Sequence, residues 1–260
     1  MSIILPSFEE SQAFFEGAKL ATQSVRFARA QVITQSEEVG VKEQDVLVGK
    51  ESPTIIGFTD NLDEDKKQAA ADSIHYAERY ADGNSDIKLT PIDWHEKYRE
   101  AMKHCGWTLI NNKYEDHVSK QVNVTMDVIV MDIIKTVAGR NAPAMLKLLD
   151  GVLGKVKDEE QLITLFDNNS KSGKNAEFRI VPCLQSEGGT AITAYLAVDC
   201  ELKTQQGGAW FWTWKLSELK MKKVATMVEL NMRVHERNRD LIYAALDKSS
   251  EDFFAGAKLG

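Results

Sequence analysis

Cysteine is scarce in this chain. Three in 260 residues (Cys105, Cys183, Cys200) make neither a disulfide framework nor a metal-ligand spacing, and reduced thiols are the default. A basic excess is also missing: 39 acidic residues against 32 basic ones leave a formal charge of −7. That balance argues against nucleic acid, which needs a positive footprint, and against simple electrostatic attachment to anionic lipid. No apolar run reaches the roughly 18 residues of a transmembrane helix. The start, Met1-Ser2-Ile3-Ile4-Leu5-Pro6, lacks the basic flank and apolar run of a signal peptide. The expectation is a protein made soluble without a signal peptide.

Enzyme motifs are missing as well. Lys171-Ser172-Gly173-Lys174 lacks the leading glycine and the residue order of a phosphate loop. There is no Gly-x-Ser-x-Gly elbow and no His-Glu-x-x-His pair. Asp167-x-Asn169 opens like a calcium loop, but Lys171 and Ser172 stand where an oxygen ligand and a glycine are required. His95 and His104 would lie about 180° apart on a helix, so they share no ligand face. His104 and Cys105 are neighbours and point apart, although a Cys–His pair assembled in three dimensions stays open. No catalytic residue, metal or cofactor is expected.

What the chain does have is periodicity. Ser7-Phe8-Glu9-Glu10 fits a capping box, and Phe14 to Phe27 follow at helical spacing, which predicts an N-terminal helix over about 8–30. A polar linker over 31–43 follows, then short strands around Val46, Val48, Ile55 and Ile56, interrupted by Pro53. Helices are predicted over 63–81 and 92–104, with a turn at Asp82–Ser85 between them and a stop near Gly106. Asp93 occupies the reciprocal capping position of the second. Tyr114 to Ala138 reads as a long buried helix, although Val122 to Val130 can also be read in twos. Pro143 opens a helix to about Leu153, and Asp158 to Phe166 a shorter one, before a loop over 168–173. Val224–Leu230 can continue as strand or turn helical, and Val234–Leu246 is helical.

The dominant signal is strict alternation between Ala176 and Val224. Phe178, Ile180, Pro182 and Leu184 share one face of a first strand. Ile192, Ala194, Leu196, Val198, Cys200 and Leu202 share one face of a second, opposite Thr193, Tyr195, Asp199, Glu201 and Lys203. Trp210, Trp212, Trp214 and Leu216 share one face of a third. Glycine pairs at Gly188-Gly189 and Gly207-Gly208 fit hairpin turns, so the reading is a half-buried three-stranded meander. A strand of about 9–11 alternating residues can cross a bilayer, and these are long enough. The tryptophans would cover the sheet under helices or form an interfacial belt or sugar platform. Lys215, Lys220, Lys222 and Lys223 would be a solvated face or contacts to lipid head groups. Cys200 reads as an inert core thiol or as a buried acylation site. One internal echo stands out: Phe14-Phe15-Glu16-Gly17-Ala18-Lys19-Leu20 returns as Phe253-Phe254-Ala255-Gly256-Ala257-Lys258-Leu259. It is chance, or the two termini dock in an equivalent way.

The order of helices, a valine-rich stretch (Gln121 to Met131), three long strands and the basic Leu219-Lys220-Met221-Lys222-Lys223 resembles the Cyt family of bacterial insecticidal cytolysins over about Asp63 to Leu230. The chain also resembles, more faintly, the Evf-type virulence factors, which carry a fatty acyl group on a buried cysteine. The first resemblance implies a single α/β domain over 1–260, of α+β type, with a central antiparallel sheet flanked by helical hairpins. The N-terminal helix is an addition to that pattern. It further implies a soluble toxin that binds membrane phospholipid, swings its helices away, and inserts its strands as a homo-oligomeric pore. Phe178, Ile180, Ile192, Leu196, Val198, Trp210, Trp212 and Trp214 would then meet lipid. The second resemblance implies a non-lytic virulence or binding module, holding an acyl group or apolar ligand between sheet and helices, with Cys200 the candidate.

Overall fold

A computed structural model describes residues 5–21, 27–30, 46–49, 52–109, 115–119, 125–172, 175–186, 188–206 and 215–256. In chain order its elements are helix α1 (Phe8–Gly17), strands β1 (Phe27–Ala30), β2 (Val46–Gly49) and β3 (Thr54–Phe58), and helices α2 (Glu64–Asn84) and α3 (Pro91–His104). Strands β4 (Trp107–Leu109) and β5 (Glu115–Ser119) precede helices α4 (Met126–Ala138), α5 (Ala142–Asp158) and α6 (Glu160–Ser170). Strands β6 (Lys171–Ser172), β7 (Asn175–Gln185), β8 (Ala191–Gln206) and β9 (Lys215–Leu230) and helix α7 (Met232–Gly256) complete it. The class is mixed α/β with a mostly antiparallel sheet. Two compact units are formed: Met1–Arg26 with Asp63–Ile110 and Val228–Gly260, and Phe27–Leu62 with Asn111–Met227.

The second unit holds the sheet, in the order β1-β2-β3-β7-β8-β9, with β5 paired to β9 and β6 to β7. The first two strands of the expected meander are there as β7 and β8, with β9 beside β8; of the third expected strand only Lys215 and Leu216 lie among the described residues, at the start of β9, and its turn at Gly207-Gly208 lies outside them. The β7–β8 hairpin closes over Ser186–Thr190, where Gly189 takes φ +79° and Ser186 N–H donates to the Thr190 carbonyl at 2.8 Å. Only glycine adopts that left-handed backbone without strain. Among the described residues one pairing departs from the antiparallel rule: β3 runs parallel to β7, Ile55 beside Ile180. Helices α4, α5 and α6 pack on one sheet face, and Lys157 in the last turn of α5 binds Asp127 in the first turn of α4 at 2.5 Å. Gly57 lets α5 approach β3. A Cβ there would overlap a methyl of Val152 and lie 3.4 Å from its Cβ.

The first unit packs α1, α2, α3 and α7 together, with β4 against the last residues of β9. Alanines 69, 70, 77 and 81 are all buried, which brings neighbouring helices close to α2. Trp94 Nε1 donates to Asp82 Oδ1 at 2.8 Å, tying α3 to α2. The Ser7–Glu10 capping box forms, with Ser7 N–H donating to Glu10 Oε2 at 2.7 Å. His235 Nδ1 lies 3.0 Å from the Cys105 carbonyl and Asn238 Nδ2 donates to the His104 carbonyl at 2.8 Å, so α7 satisfies the end of α3.

Several expectations change. The helix expected over 8–30 ends at Gly17, and 27–30 is strand, because β2 offers a ladder at Val46–Gly49. The turn expected at Asp82–Ser85 is helical through Asn84, whose side chain donates to the Lys19 carbonyl at 2.9 Å and to the Tyr80 carbonyl at 2.7 Å. Asp93 makes no capping box, since Thr90 turns its hydroxyl to Ser85 and to the Asp86 carbonyl. The long helix expected over 114–138 is strand β5 and then helix α4. Glu115 and Asp116 stand opposite Lys223 and Lys222 of β9, and cross-strand charge pairing favours the ladder. The loop expected over 168–173 is helical to Ser170, with Asn169 Nδ2 donating to the Gly49 carbonyl at 2.9 Å, and then becomes β6. Val224–Leu230 is strand. The expected linker over 31–43 lies outside the described residues.

Replacing Gly57 with alanine should lower stability by about 1–3 kcal/mol, the usual cost of overpacking a tight contact. Urea unfolding checks this, as a lower midpoint with an unchanged slope.

Candidate membrane-active sheet

The apolar face expected from alternation is assembled in the second unit. Phe178, Ile180 and Leu184 of β7 and Ile192, Leu196 and Val198 of β8 are buried in one cluster with residues of α4, α5 and α6. The register sets them side by side, Phe178 opposite Val198, Ile180 opposite Leu196, Leu184 opposite Ile192. Phe166 of α6 meets Phe178 edge-on, ring centroids 6.2 Å apart. Ala225 and Met227 of β9 pack against the same cluster. Strands β7, β8 and β9 are 11, 16 and 16 residues long, at or above the span of a bilayer.

The opposite face corrects the half-buried reading. Arg179, Val181 and Cys183 of β7 and Thr193, Tyr195 and Ala197 of β8 are all at most 5% exposed. Burial is tolerable there because the polar groups are partnered. Arg179 Nε donates to Thr54 Oγ1 at 2.9 Å and Nη2 to Ser52 Oγ at 3.1 Å, while Nη1 pairs with Glu177. Thr193 Oγ1 donates to the Pro182 carbonyl at 2.8 Å. Sequence reasoning passed over Arg179 altogether. The signal that could have exposed the double burial is the unbroken run Ala194-Tyr195-Leu196-Ala197-Val198, since strands covered on both faces read as continuous apolar runs.

Toward the far end of the hairpin this face becomes charged. Glu177 stands opposite Asp199, and Asn175 opposite Glu201. Burial raises the Asp199 pKa, and Lys222 of β9 opposes that shift. Lys222 is exposed and Lys223 partly buried, and the register of β9 places them opposite Asp116 and Glu115 of β5. Lys215 and Lys220 lie on β9, with side chains outside the described residues. Trp210, Trp212 and Trp214 fall in 207–214, outside the described residues.

Cys200 lies in the helix-covered core, 3% exposed, with its thiol donating to the Ala176 carbonyl at 3.4 Å. Burial pushes the Cys200 and Cys183 thiols up to about 12, so both are protonated at neutral pH. Cys105 is buried and raised for the same reason, and His235 bonds its carbonyl. Among the described residues no three His, Cys, Asp or Glu side chains are grouped to hold a metal, and no helix is long and apolar enough to cross a membrane.

Both kinds of protein that the sequence resembles are present among solved structures similar to this chain. A Cyt delta-endotoxin aligns with a TM-score of 0.40 and 17% identity, covering 78% of this chain and 91% of its own. The Evf virulence factor aligns with a TM-score of 0.44 and 11% identity, covering 92% of this chain and 89% of its own. No family model and no curated sequence matches the chain. Likenesses of this size assign neither an activity nor a ligand.

Thiol titration with a disulfide reagent should find almost nothing reactive in the native protein and all three cysteines in denaturant. Two reactive thiols after unfolding would instead mean that one carries a group. Asp199→Asn should raise the unfolding midpoint at pH 7. The folded pKa is raised, so the ionised carboxylate costs stability at neutral pH, and that cost is relieved as pH falls through the folded pKa. The advantage of the variant should therefore shrink as pH falls into the carboxylate range, read from denaturation midpoints across pH.

Proposed function

We propose that this protein is membrane-active: a lipid-binding, pore-forming module in which β7, β8 and β9 insert after α4, α5 and α6 leave their face. The observation that carries the reading is the two-sided character of the β7–β8 hairpin. Between Ala176 and Leu184 and between Ile192 and Cys200 its even-numbered positions form an apolar face under helices. Its odd-numbered positions mix the charged Glu177, Arg179, Asp199 and Glu201 with the buried Val181, Cys183, Tyr195 and Ala197. Strands that are apolar outward and polar inward, of membrane-crossing length, are what a β-barrel in lipid requires. Closing the sheet in a homo-oligomer would satisfy the backbone groups of its edges. Phe178, Ile180, Ile192, Leu196 and Val198 would face acyl chains, as would Trp210, Trp212 and Trp214. Lys215, Lys220, Lys222 and Lys223 would meet head groups at its border.

The acidic net charge favours neutral over anionic lipid as the target. A module that keeps an acyl chain or apolar ligand in the same helix-covered core is the second reading, with Cys200 as its attachment point, and the thiol count above separates the two.

A disulfide between Gly57→Cys and Val152→Cys tests the proposal, because a Cβ at position 57 lies 3.4 Å from Val152 Cβ, close to disulfide geometry. Oxidised protein, with α5 held to β3, should release little calcein from phosphatidylcholine vesicles, and reduction should restore release. Leakage that is the same before and after reduction would sink the helix-release mechanism, and intact vesicles with the unmodified chain would sink the lytic reading.

A further inference from the structure

The first copy of the repeated heptapeptide closes α1, which ends at Gly17, and the second begins within α7, where Phe253 to Gly256 are helical. Around the first copy the described contacts lie within the first unit. Phe14 lies flat on His104, ring centroids 4.0 Å apart, and 4.8 Å from Tyr80. Phe15 is buried, its ring 5.0 Å from Tyr76. Ser11 is buried, with Oγ 3.2 Å from His104 Nδ1. Past the helix the main chain is held: Asn84 Nδ2 donates to the Lys19 carbonyl, Ala21 N–H donates to the Arg79 carbonyl at 3.0 Å, and the Arg79 guanidinium donates to the Ala21 carbonyl. Gly83 leaves room there, since a Cβ would collide with the Lys19 carbonyl oxygen.

Setting the two copies in register puts Ser250 at the place of Ser11 and repeats both phenylalanines, the glycine and Ala-Lys-Leu. The positions that differ are Glu251, Asp252 and Ala255 against Gln12, Ala13 and Glu16, and earlier Asp247, Lys248 and Ser249 against Phe8, Glu9 and Glu10. All six of those α1 residues are exposed. The buried Ser11 and Phe15 and the half-buried Phe14 are kept, as are the exposed Gly17 and Lys19, while six exposed positions of α1 are exchanged.

We propose that the groove of Tyr76, Tyr80, Gly83, Asn84 and His104 is a docking site for residues 250–259 of a second copy of this chain, which enter in place of α1. The donor is a second copy because α1 sits at the beginning of α7, where Arg237 Nη2 donates to the Pro6 carbonyl at 3.0 Å. Along the same unbroken helix, Phe253 lies 15 residues past Asn238, about 22 Å at 1.5 Å per residue. A chain's own tail cannot reach its own groove while α7 stays helical. The exchange links copies through a segment each already carries, and it does not depend on lipid.

The test uses a fluorescein-labelled peptide of residues 249–260 titrated into the full chain. Tethered α1 competes at an effective concentration of mM order, so the unaltered chain should bind weakly. Phe14→Ala with Phe15→Ala should tighten binding by about a hundredfold, by removing that competitor. Ser11→Ala with Phe14→Leu serves the same purpose if the double alanine chain fails to fold. An unlabelled peptide of residues 6–21 should displace the label, and alanines at both phenylalanines of the labelled peptide should abolish binding. A folded, loosened chain that leaves the peptide free up to about 1 mM overturns the proposal, as does binding that the 6–21 peptide cannot compete.

Discussion

The hairpin of β7 and β8 is buried on both faces, and that constraint organises the second unit. One face is closed by three helices, and its cross-strand pairs are large and apolar. Exposing Phe178, Ile180, Leu184, Ile192, Leu196 and Val198 to water would cost roughly 1.5–3 kcal/mol each. The total is comparable with the whole stability of an ordinary domain, about 5–15 kcal/mol. Helices cannot leave this face in water, therefore, and any release must be coupled to another apolar solvent. A bilayer is such a solvent.

The other face is buried by a different logic. Arg179 is held by a short network of Ser52, Thr54 and Glu177, and a guanidinium without those partners would be expensive. Such a network ties β7 to the segment before β3, the strand that runs parallel beside it. It also gives the hairpin its polarity, because the same face ends in Glu177, Asp199 and Glu201. The face thus joins a buried apolar stretch, Val181, Cys183, Tyr195 and Ala197, to a charged end.

The first unit is specified by aromatic rings and small residues. Alanines on α2 permit close helix contacts, and Phe14, Phe15, Tyr76, Tyr80 and His104 fill what remains beside α1. Histidine is suited to this place because burial holds His104 below its ordinary pKa, leaving a neutral ring that stacks flat on Phe14 while its nitrogen meets Ser11. The chain leaves α1 at Ala18, whose backbone is extended, and the residues that follow are held along the end of α2.

Local patterns in the sequence determined the capping box at Ser7, the cores of α2, α3 and α7, the stop at Gly106, and the apolar face shared by Phe178, Ile180, Ile192, Leu196 and Val198. Each rests on spacing or turn chemistry within about a dozen residues, which a linear pattern carries. Tertiary structure alone decided that 115–119 is strand, that α1 stops at Gly17, that β3 runs parallel to β7, and that Arg179 belongs inside. Those outcomes depend on partners far away in the chain: β9 for Glu115–Ser119, the Arg79 clamp for the residues after α1, Ser52 and Thr54 for the guanidinium. Periodicity reports which side of an element is greasy. It does not report what lies on the other side, and in this protein that is where the polar face of the sheet is held.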